Sequence, residues 1–149
     1  MALNPRRITL LQQMALFGGL TAAALETLLA ASRMVDVPAG TDFFSEGDAG
    51  EAMYILEAGS VAVIKATPDG PHVLQKLSAG DCFGEMALMD MSARSATVRA
   101  EEACSAIELP SSALLDLYER DLSQFALLMM NMGREVSRRL RKADERPVH

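Results

Sequence analysis

The residues with the clearest chemical potential are a glutamate and an arginine nine positions apart, Glu85 and Arg94. Gly84 precedes the glutamate, and the residues after it predict a short helical turn over 85–89. Glycine lets a ligand approach the backbone closely, and amides at the start of a helical turn favour an anion. The arginine fork matches two phosphate oxygens in a way that lysine does not reproduce. This segment therefore predicts an anion site.

The carboxylate decides which kind of anion fits. A carboxylate by itself repels an anion, so Glu85 suits a ligand that also presents a hydroxyl donor, as a ribose does. Ser95 and Ala96 follow the arginine and add a hydroxyl group and a small residue. Together these residues indicate a sugar phosphate. The competing interpretation is a surface ion pair between Glu85 and Arg94, which is worth little in stability and needs neither the glycine nor the small residues.

Length and composition limit the possible classes of protein. The chain has 149 residues, of which 50% are hydrophobic and 23% are charged, so it fits one folded domain. A net charge of −6 argues against general nucleic-acid binding. Cys82 and Cys104 are too few for a disulfide framework or a four-thiolate cluster. The sequence shows no signal peptide and no apolar run of the roughly 20 residues that a membrane helix needs, so we expect a cytoplasmic protein without membrane contact.

Three regions follow one another along the chain. Apolar residues at helical spacing predict helices over 7–32, with Thr21 as an N-cap. Over 35–109, short apolar strands alternate with turns about every 8 to 12 residues, which is typical of an all-β sandwich or barrel. Helical spacing returns over 111–142. The pattern predicts a mainly β jelly-roll sandwich with N-terminal helices and a long C-terminal helix, as one domain over 1–149.

The long C-terminal helix is predicted from Asp121 to about Lys142. Its apolar residues are separated by steps of three and four, as in a coiled-coil seam: Leu122, Phe125, Met129, Met132, Val136 and Leu140. The same spacing also fits a helix that packs on its own sandwich, and both interpretations stay open. Further apolar residues lie off the seam, at Leu127, Leu128 and Met130. We therefore predict a helix that packs on the domain and also forms a homodimer.

The segment around Glu85 and Arg94 resembles the phosphate-binding cassette of cyclic nucleotide-binding domains, as in catabolite activator proteins, protein kinase A regulatory subunits and cyclic-nucleotide-gated channels. The resemblance includes the turns and strands upstream and spans about residues 8–142: Val37-Pro38-Ala39-Gly40, Phe44-Ser45-Glu46-Gly47-Asp48, Met53-Tyr54-Ile55-Leu56 and Gly59-Ser60-Val61. Ala93 departs from the family, which often has proline before the cassette arginine. Without the φ restriction of proline, this loop is less preorganised.

The resemblance implies a cyclic nucleotide ligand, cAMP rather than cGMP. It implies that Arg94 pairs with the exocyclic phosphate oxygens and that Glu85 accepts a hydrogen bond from the ribose 2′-hydroxyl. The remaining predicted pocket residues lie beside them in the sequence: Gly84, Met86, Ala87, Leu88, Ser95 and Ala96. Candidates for contact with the base are apolar: Val73, Leu74, Phe83, Met86, Met129 and Met132. For the methionines, ordinary core packing is the alternative.

Other functions find less support in the sequence. Only two histidines exist, His72 and His149, so neither a metal site nor an enzyme is predicted, and no cofactor is expected besides the ligand. A cysteine set for an iron–sulfur cluster is missing. Relatives that bind DNA carry a helix-turn-helix domain after the long helix, and residues 143–149 are too few for one, so direct DNA binding is not expected.

Two kinds of protein remain open. The first kind is a sensor domain, which is either a stand-alone protein that signals by rearranging its C-terminal helix or the sensor part of a longer transcription regulator. The second kind is an interaction module or regulatory subunit that binds another ligand, such as cyclic di-GMP, or no ligand.

Overall fold

The computed structural model describes residues 4–90 and 92–144. Helix α1 spans Pro5–Gln12 and begins after Asn4, whose Oδ1 accepts a hydrogen bond from the Arg7 amide at 2.8 Å. It ends before the apolar pattern does, and Ala15–Phe17 form a separate 3-10 turn. Helix α2 spans Ala22–Ala30, and Thr21 caps it as predicted, since its Oγ1 accepts from the Ala24 amide at 3.1 Å.

Eight strands follow in the described part of the chain: β1 Arg33–Val37, β2 Asp42–Phe44, β3 Ala52–Ala58, β4 Ser60–Thr67, β5 Gly70–Ser78, β6 Cys82–Phe83, β7 Thr97–Ala100 and β8 Cys104–Pro110. They form two antiparallel sheets of four strands, in the orders β1-β8-β3-β6 and β2-β7-β4-β5. Helix α3, Glu85–Asp90, lies between β6 and β7, and α4, Ser111–Arg120, and α5, Leu122–Asp144, follow β8. This arrangement confirms the predicted fold class.

Strand β3 separates two hydrophobic clusters. Met53 and Ile55 point to the cluster formed with the helices, whereas Tyr54 and Leu56 point to the cluster between the sheets. Successive side chains of a strand point to opposite faces, so one strand supplies both clusters. The sheets and helices therefore form a continuous scaffold for the loops between β6 and β7.

The apolar seam predicted on α5 packs largely on the domain itself. Met132 is fully buried, and Phe125 and Met129 pack against the helical cluster. The side-chain Nδ2 of Asn131 donates hydrogen bonds to the backbone carbonyls of Leu16 and Gly18, both at 2.9 Å. These two bonds tie helix α5 to the N-terminal turn. The middle of the predicted seam, Phe125, Met129 and Met132, is thus an internal contact, whereas Leu122 at its start is 60% exposed. No helix of residues 4–90 and 92–144 has the length and apolarity needed to cross a bilayer.

Candidate functional site

A cavity of about 740 Å³ lies between strands β4 and β5, the start of α3 and the C-terminal half of α5. Its size is in the range of small-molecule sites. The tertiary structure brings most of the residues predicted from the sequence to its wall: Phe83, Gly84, Glu85, Met86, Arg94, Ser95 and Ala96. Residues separated by up to 13 positions in the chain therefore face one space, from Phe83 to Ala96.

Arg94 lies in the wall of the cavity and is only 6% exposed. Its Nη1 donates to the Gly84 carbonyl at 2.9 Å and its Nη2 to the Ala52 carbonyl at 2.5 Å, while its Cζ lies 4.0 Å from the centroid of the Phe44 ring. Its Nε is buried without a hydrogen-bond partner among the described residues. Burial lowers the pKa of Arg94, but an arginine stays protonated in proteins. A buried charge held only by neutral carbonyls is suited to an anionic ligand, which offers stronger charge-assisted bonds.

Gly84 permits this close approach of the guanidinium. Its φ is +82°, a left-handed conformation that costs little only for glycine. A Cβ at this position would lie 2.7 Å from Arg94 Nη1 and 3.3 Å from the Phe44 ring. Both the backbone conformation and the space therefore explain the glycine before Glu85.

Glu85 is 5% exposed and pairs with Arg139 of α5. Arg139 Nη1 donates to Glu85 Oε1 at 3.1 Å, and Arg139 Nη2 donates to the Cys82 carbonyl. Burial raises the pKa of Glu85, and the Arg139 guanidinium opposes that rise. The described side chains of Glu85 and Arg94 do not form the surface ion pair considered from the sequence; each is buried and has other partners.

The C-terminal half of α5 forms one wall of the cavity: Glu135, Val136, Arg138, Arg139, Leu140 and Lys142. This corrects the prediction that Met129 and Met132 contact a base. Those two residues lie one to three turns earlier, where α5 still packs on the core. Arg139 was not predicted as a site residue. It is one of several arginines near the end of a helix, and nothing in the neighbouring sequence distinguishes the one that pairs with Glu85.

The predicted contact at Val73 also needs correction. Val73 is 52% exposed and does not line the cavity, whereas its neighbour Leu74 does. The pairing of β4 with β5 shifts register between Val63 and Ile64, which changes the alternation of side chains on β5 at this point. Met86 lines the cavity as predicted and is 52% exposed, so it lies at the rim.

The remaining predicted residues have other surroundings. Leu88 packs against the helical cluster, and Ala87 lies in α3 with its side chain outside the described part of the structure. His72 is exposed on β5, and His149 lies outside the described residues. Within 4–90 and 92–144, no group of three or more His, Cys, Asp or Glu side chains is placed to hold a metal ion. Burial raises the pKa of the Cys82 thiol to about 12.

The loop that carries Arg94 is held by the turn after β2. The Gly47 amide donates to the Arg94 carbonyl at 2.9 Å, and the Arg94 amide donates to the Asp48 carbonyl at 2.8 Å. The Glu46 amide donates to Thr97 Oγ1 at 2.9 Å. These contacts fix the backbone on both sides of Ser95, so the tertiary structure orders a loop that has no proline.

Comparison with known proteins identifies the family to which the chain is similar. Residues 34–121 match a family described as the cyclic nucleotide-binding domain. The chain is 31% identical over 134 residues to the cyclic AMP receptor protein of Thermus thermophilus, which covers 87% of this chain and 58% of that protein. It is 33% identical over 132 residues to glutaminase 1 of Bradyrhizobium diazoefficiens, covering 89% of this chain and 21% of that protein.

A solved structure of a cyclic nucleotide-binding protein is also similar to this chain in fold and sequence. The regulatory domain of Toxoplasma gondii protein kinase A, solved with cAMP, superimposes with a TM-score of 0.68 and 32% identity, covering 74% of this chain and 42% of that one. The chain therefore spans less than two thirds of the length of each of these three proteins.

Proposed function

This chain belongs to the cyclic nucleotide-binding domain family, and on that premise we propose that its cavity binds a 3′,5′-cyclic nucleotide, with cAMP bound more tightly than cGMP. The observation that carries the proposal is the convergence of Glu85, Arg94 and Ser95 on one cavity of about 740 Å³. The preference for cAMP is supported by the cAMP in the Toxoplasma gondii structure and by the name of the Thermus thermophilus receptor.

The buried charges of the cavity suggest how each part of the ligand is held. Arg94 exchanges its two carbonyl partners for the exocyclic phosphate oxygens, because a hydrogen bond between two charged groups is stronger than one to a neutral carbonyl. Glu85 accepts from the ribose 2′-hydroxyl, since a carboxylate can accept more than one hydrogen bond and need not release Arg139. The role is regulatory binding rather than catalysis, and a cytoplasmic location stays a prediction from composition.

Isothermal titration calorimetry tests this function. We expect saturable binding of cAMP, weaker binding of cGMP, and no saturable heat with cyclic di-GMP. The predicted site residues provide for one phosphate and one ribose, so the second nucleotide of cyclic di-GMP has no predicted contacts. Tight binding of cyclic di-GMP alone would favour the alternative ligand. At a ligand concentration of about 1 mM, calorimetry detects even weak binding with a free energy of about −4 kcal/mol. If none of the three ligands binds under these conditions, the proposal is refuted.

We further propose that α5 transmits the binding signal. Arg139 connects this helix to Glu85 through the 3.1 Å contact, and Val136 and Leu140 line the same cavity. A ligand that contacts these residues stabilises the docked helix. Only such a difference in affinity between the docked and undocked forms can shift their populations.

Hydrogen exchange with and without cAMP measures this coupling. We expect amide exchange over 133–142 to slow by about threefold or more when cAMP binds, because the docked helix opens less often. Helix α2, which does not line the cavity, serves as an internal control. The Arg139→Gln variant, saturated with cAMP, is expected to lose most of this protection. Unchanged exchange in the wild-type helix would show that α5 is a static support.

A homodimer through α5 also stays a proposal, with a set of residues that shares only Leu122 and Leu140 with the seam first predicted. Met132 is fully buried and cannot contact a second chain. The exposed face of the helix has its own seam-like spacing: Leu122, Ala126, Met130, Gly133, Ser137 and Leu140. Leu122 is 60% and Met130 56% exposed, which a second copy would cover. Light scattering distinguishes a dimer from a monomer of 16.0 kDa.

A further inference from the structure

We propose that Lys65 is a second cation of the phosphate subsite, an inference that rests on the proposed binding of a cyclic nucleotide. Lys65 lies on β4 and lines the cavity together with Arg94 and Ser95. Its Nζ donates to the Ser95 carbonyl at 2.8 Å. A positive charge therefore sits directly against the residue that follows Arg94, on the wall of the same cavity.

Glu46 holds the ammonium group in this place. Lys65 Nζ donates to Glu46 Oε2 at 3.1 Å, and Glu46 Oε1 accepts from the Ala66 amide at 3.1 Å. The hydrogen bond from Ala66 and the Lys65 ammonium keep the pKa of Glu46 below its usual range, so its carboxylate stays charged. Because the backbone amide of Glu46 also donates a hydrogen bond to Thr97 Oγ1, Glu46 connects Lys65 to the start of β7, directly after the loop.

The ammonium group keeps a donor for a ligand. It has three N–H groups, and two of them have partners among the described residues, the Ser95 carbonyl and the Glu46 carboxylate. The Lys65 side chain is 42% exposed, whereas Arg94 is 6% exposed and both of its terminal nitrogens already donate to carbonyls. An incoming phosphate thus reaches the ammonium of Lys65 without first breaking a contact of Arg94.

The contact of Lys65 with the loop also compensates for Ala93, which stands where the family often has proline. A loop without proline is less restricted before the ligand binds. The hydrogen bond from Lys65 to the Ser95 carbonyl restricts the loop in addition to the backbone contacts that Gly47 and Asp48 make with Arg94. Lys65 therefore combines two tasks, the placement of the loop and the supply of charge.

Three substitutions separate these tasks in calorimetric titrations with cAMP. We expect Lys65→Met to raise the dissociation constant about tenfold, the scale of one charge-assisted contact at a partly exposed site. Lys65→Arg keeps the charge and is expected to stay within about threefold of wild type. Arg99→Met is the matched control, because Arg99 is also a strand cation paired with a carboxylate, is 49% exposed and does not line the cavity; it should change binding by less than about twofold. Thermal unfolding verifies that each variant is folded.

The outcomes are distinguishable. If Lys65→Met binds cAMP like wild type, Lys65 has no part in the subsite. If Lys65→Met and Lys65→Arg lose affinity equally, the side chain acts through loop structure and not through charge, and the inference is wrong. Absence of binding by the wild-type protein refutes the proposed function and this inference with it, whereas unchanged Lys65→Met refutes the inference alone.

Discussion

Replacement of Arg94 by alanine is expected to weaken cAMP binding by about 2 to 4 kcal/mol, or roughly 30- to 800-fold in the dissociation constant. The reason is that the phosphate loses a bidentate, charge-assisted contact in a largely dry site. Arg94→Lys is expected to recover only part of the loss, because an ammonium lacks the planar fork. Calorimetry with each purified variant measures the difference.

The same substitution also affects folding. It leaves the carbonyls of Gly84 and Ala52 without their guanidinium donors, which lowers the free energy of unfolding by about 1 to 3 kcal/mol. Binding is therefore measured where denaturation curves show the variant to be folded. Arg99→Ala is the matched control, since Arg99 pairs with Asp42 at 2.7 Å and does not line the cavity. If Arg94→Ala and Arg99→Ala bind cAMP equally well, the phosphate is held elsewhere.

Replacement of Gly59 by alanine is expected to lower the free energy of unfolding by about 3 to 5 kcal/mol. Gly59 has a φ of +95°, and a Cβ there would lie 2.5 Å from the Ala103 carbonyl oxygen and 2.8 Å from Cys104 Sγ. The strain of a left-handed alanine accounts for about 1 to 2 kcal/mol of the loss. The remainder comes from the collision, because the backbone of β8 cannot move aside without breaking its pairing with β3.

Gly40 provides the control for the collision. Its φ is +84°, but a Cβ there would meet nothing within 4 Å. Gly40→Ala therefore carries the backbone strain alone and is expected to cost about 1 to 2 kcal/mol. Urea denaturation of both variants gives the comparison, provided that the slopes of the transitions agree. Equal losses would mean that the contact between Gly59 and the start of β8 relaxes freely.

Several structural elements could be predicted because their signals are local. Thr21 caps α2 through an amide three residues away, and the short apolar run of β3 is recognised from its own residues alone. The cassette was predictable for a related reason, since a single loop and a short helix bring Glu85 and Arg94 to one cavity. Interactions of this kind are encoded within about ten residues, so a pattern of residue types is enough to indicate them.

The helix α5 shows the limit of such patterns. Its apolar spacing at Met129, Met132, Val136 and Leu140 is uniform, and the spacing alone predicts neither where the helix packs on the core nor where it faces the cavity. The structure places that change after Met132, because the helical cluster ends there and the C-terminal half extends over β5 and α3. An apolar residue satisfies either environment, so its type carries no information about which one it meets.

What the sequence by itself determined is the fold class, the order of the elements and the cassette that brings Glu85 and Arg94 to one cavity, because each rests on short-range periodicity, turn chemistry and a compact motif. What only the tertiary structure decided is the set of partners that complete the site. Arg139 reaches Glu85 across 54 positions of the chain and Lys65 reaches Ser95 across 30. Such partners are selected by how α5 and β4 pack against the cassette, and a cation on a helix or strand has the same appearance in the sequence whether it faces solvent or a buried carboxylate.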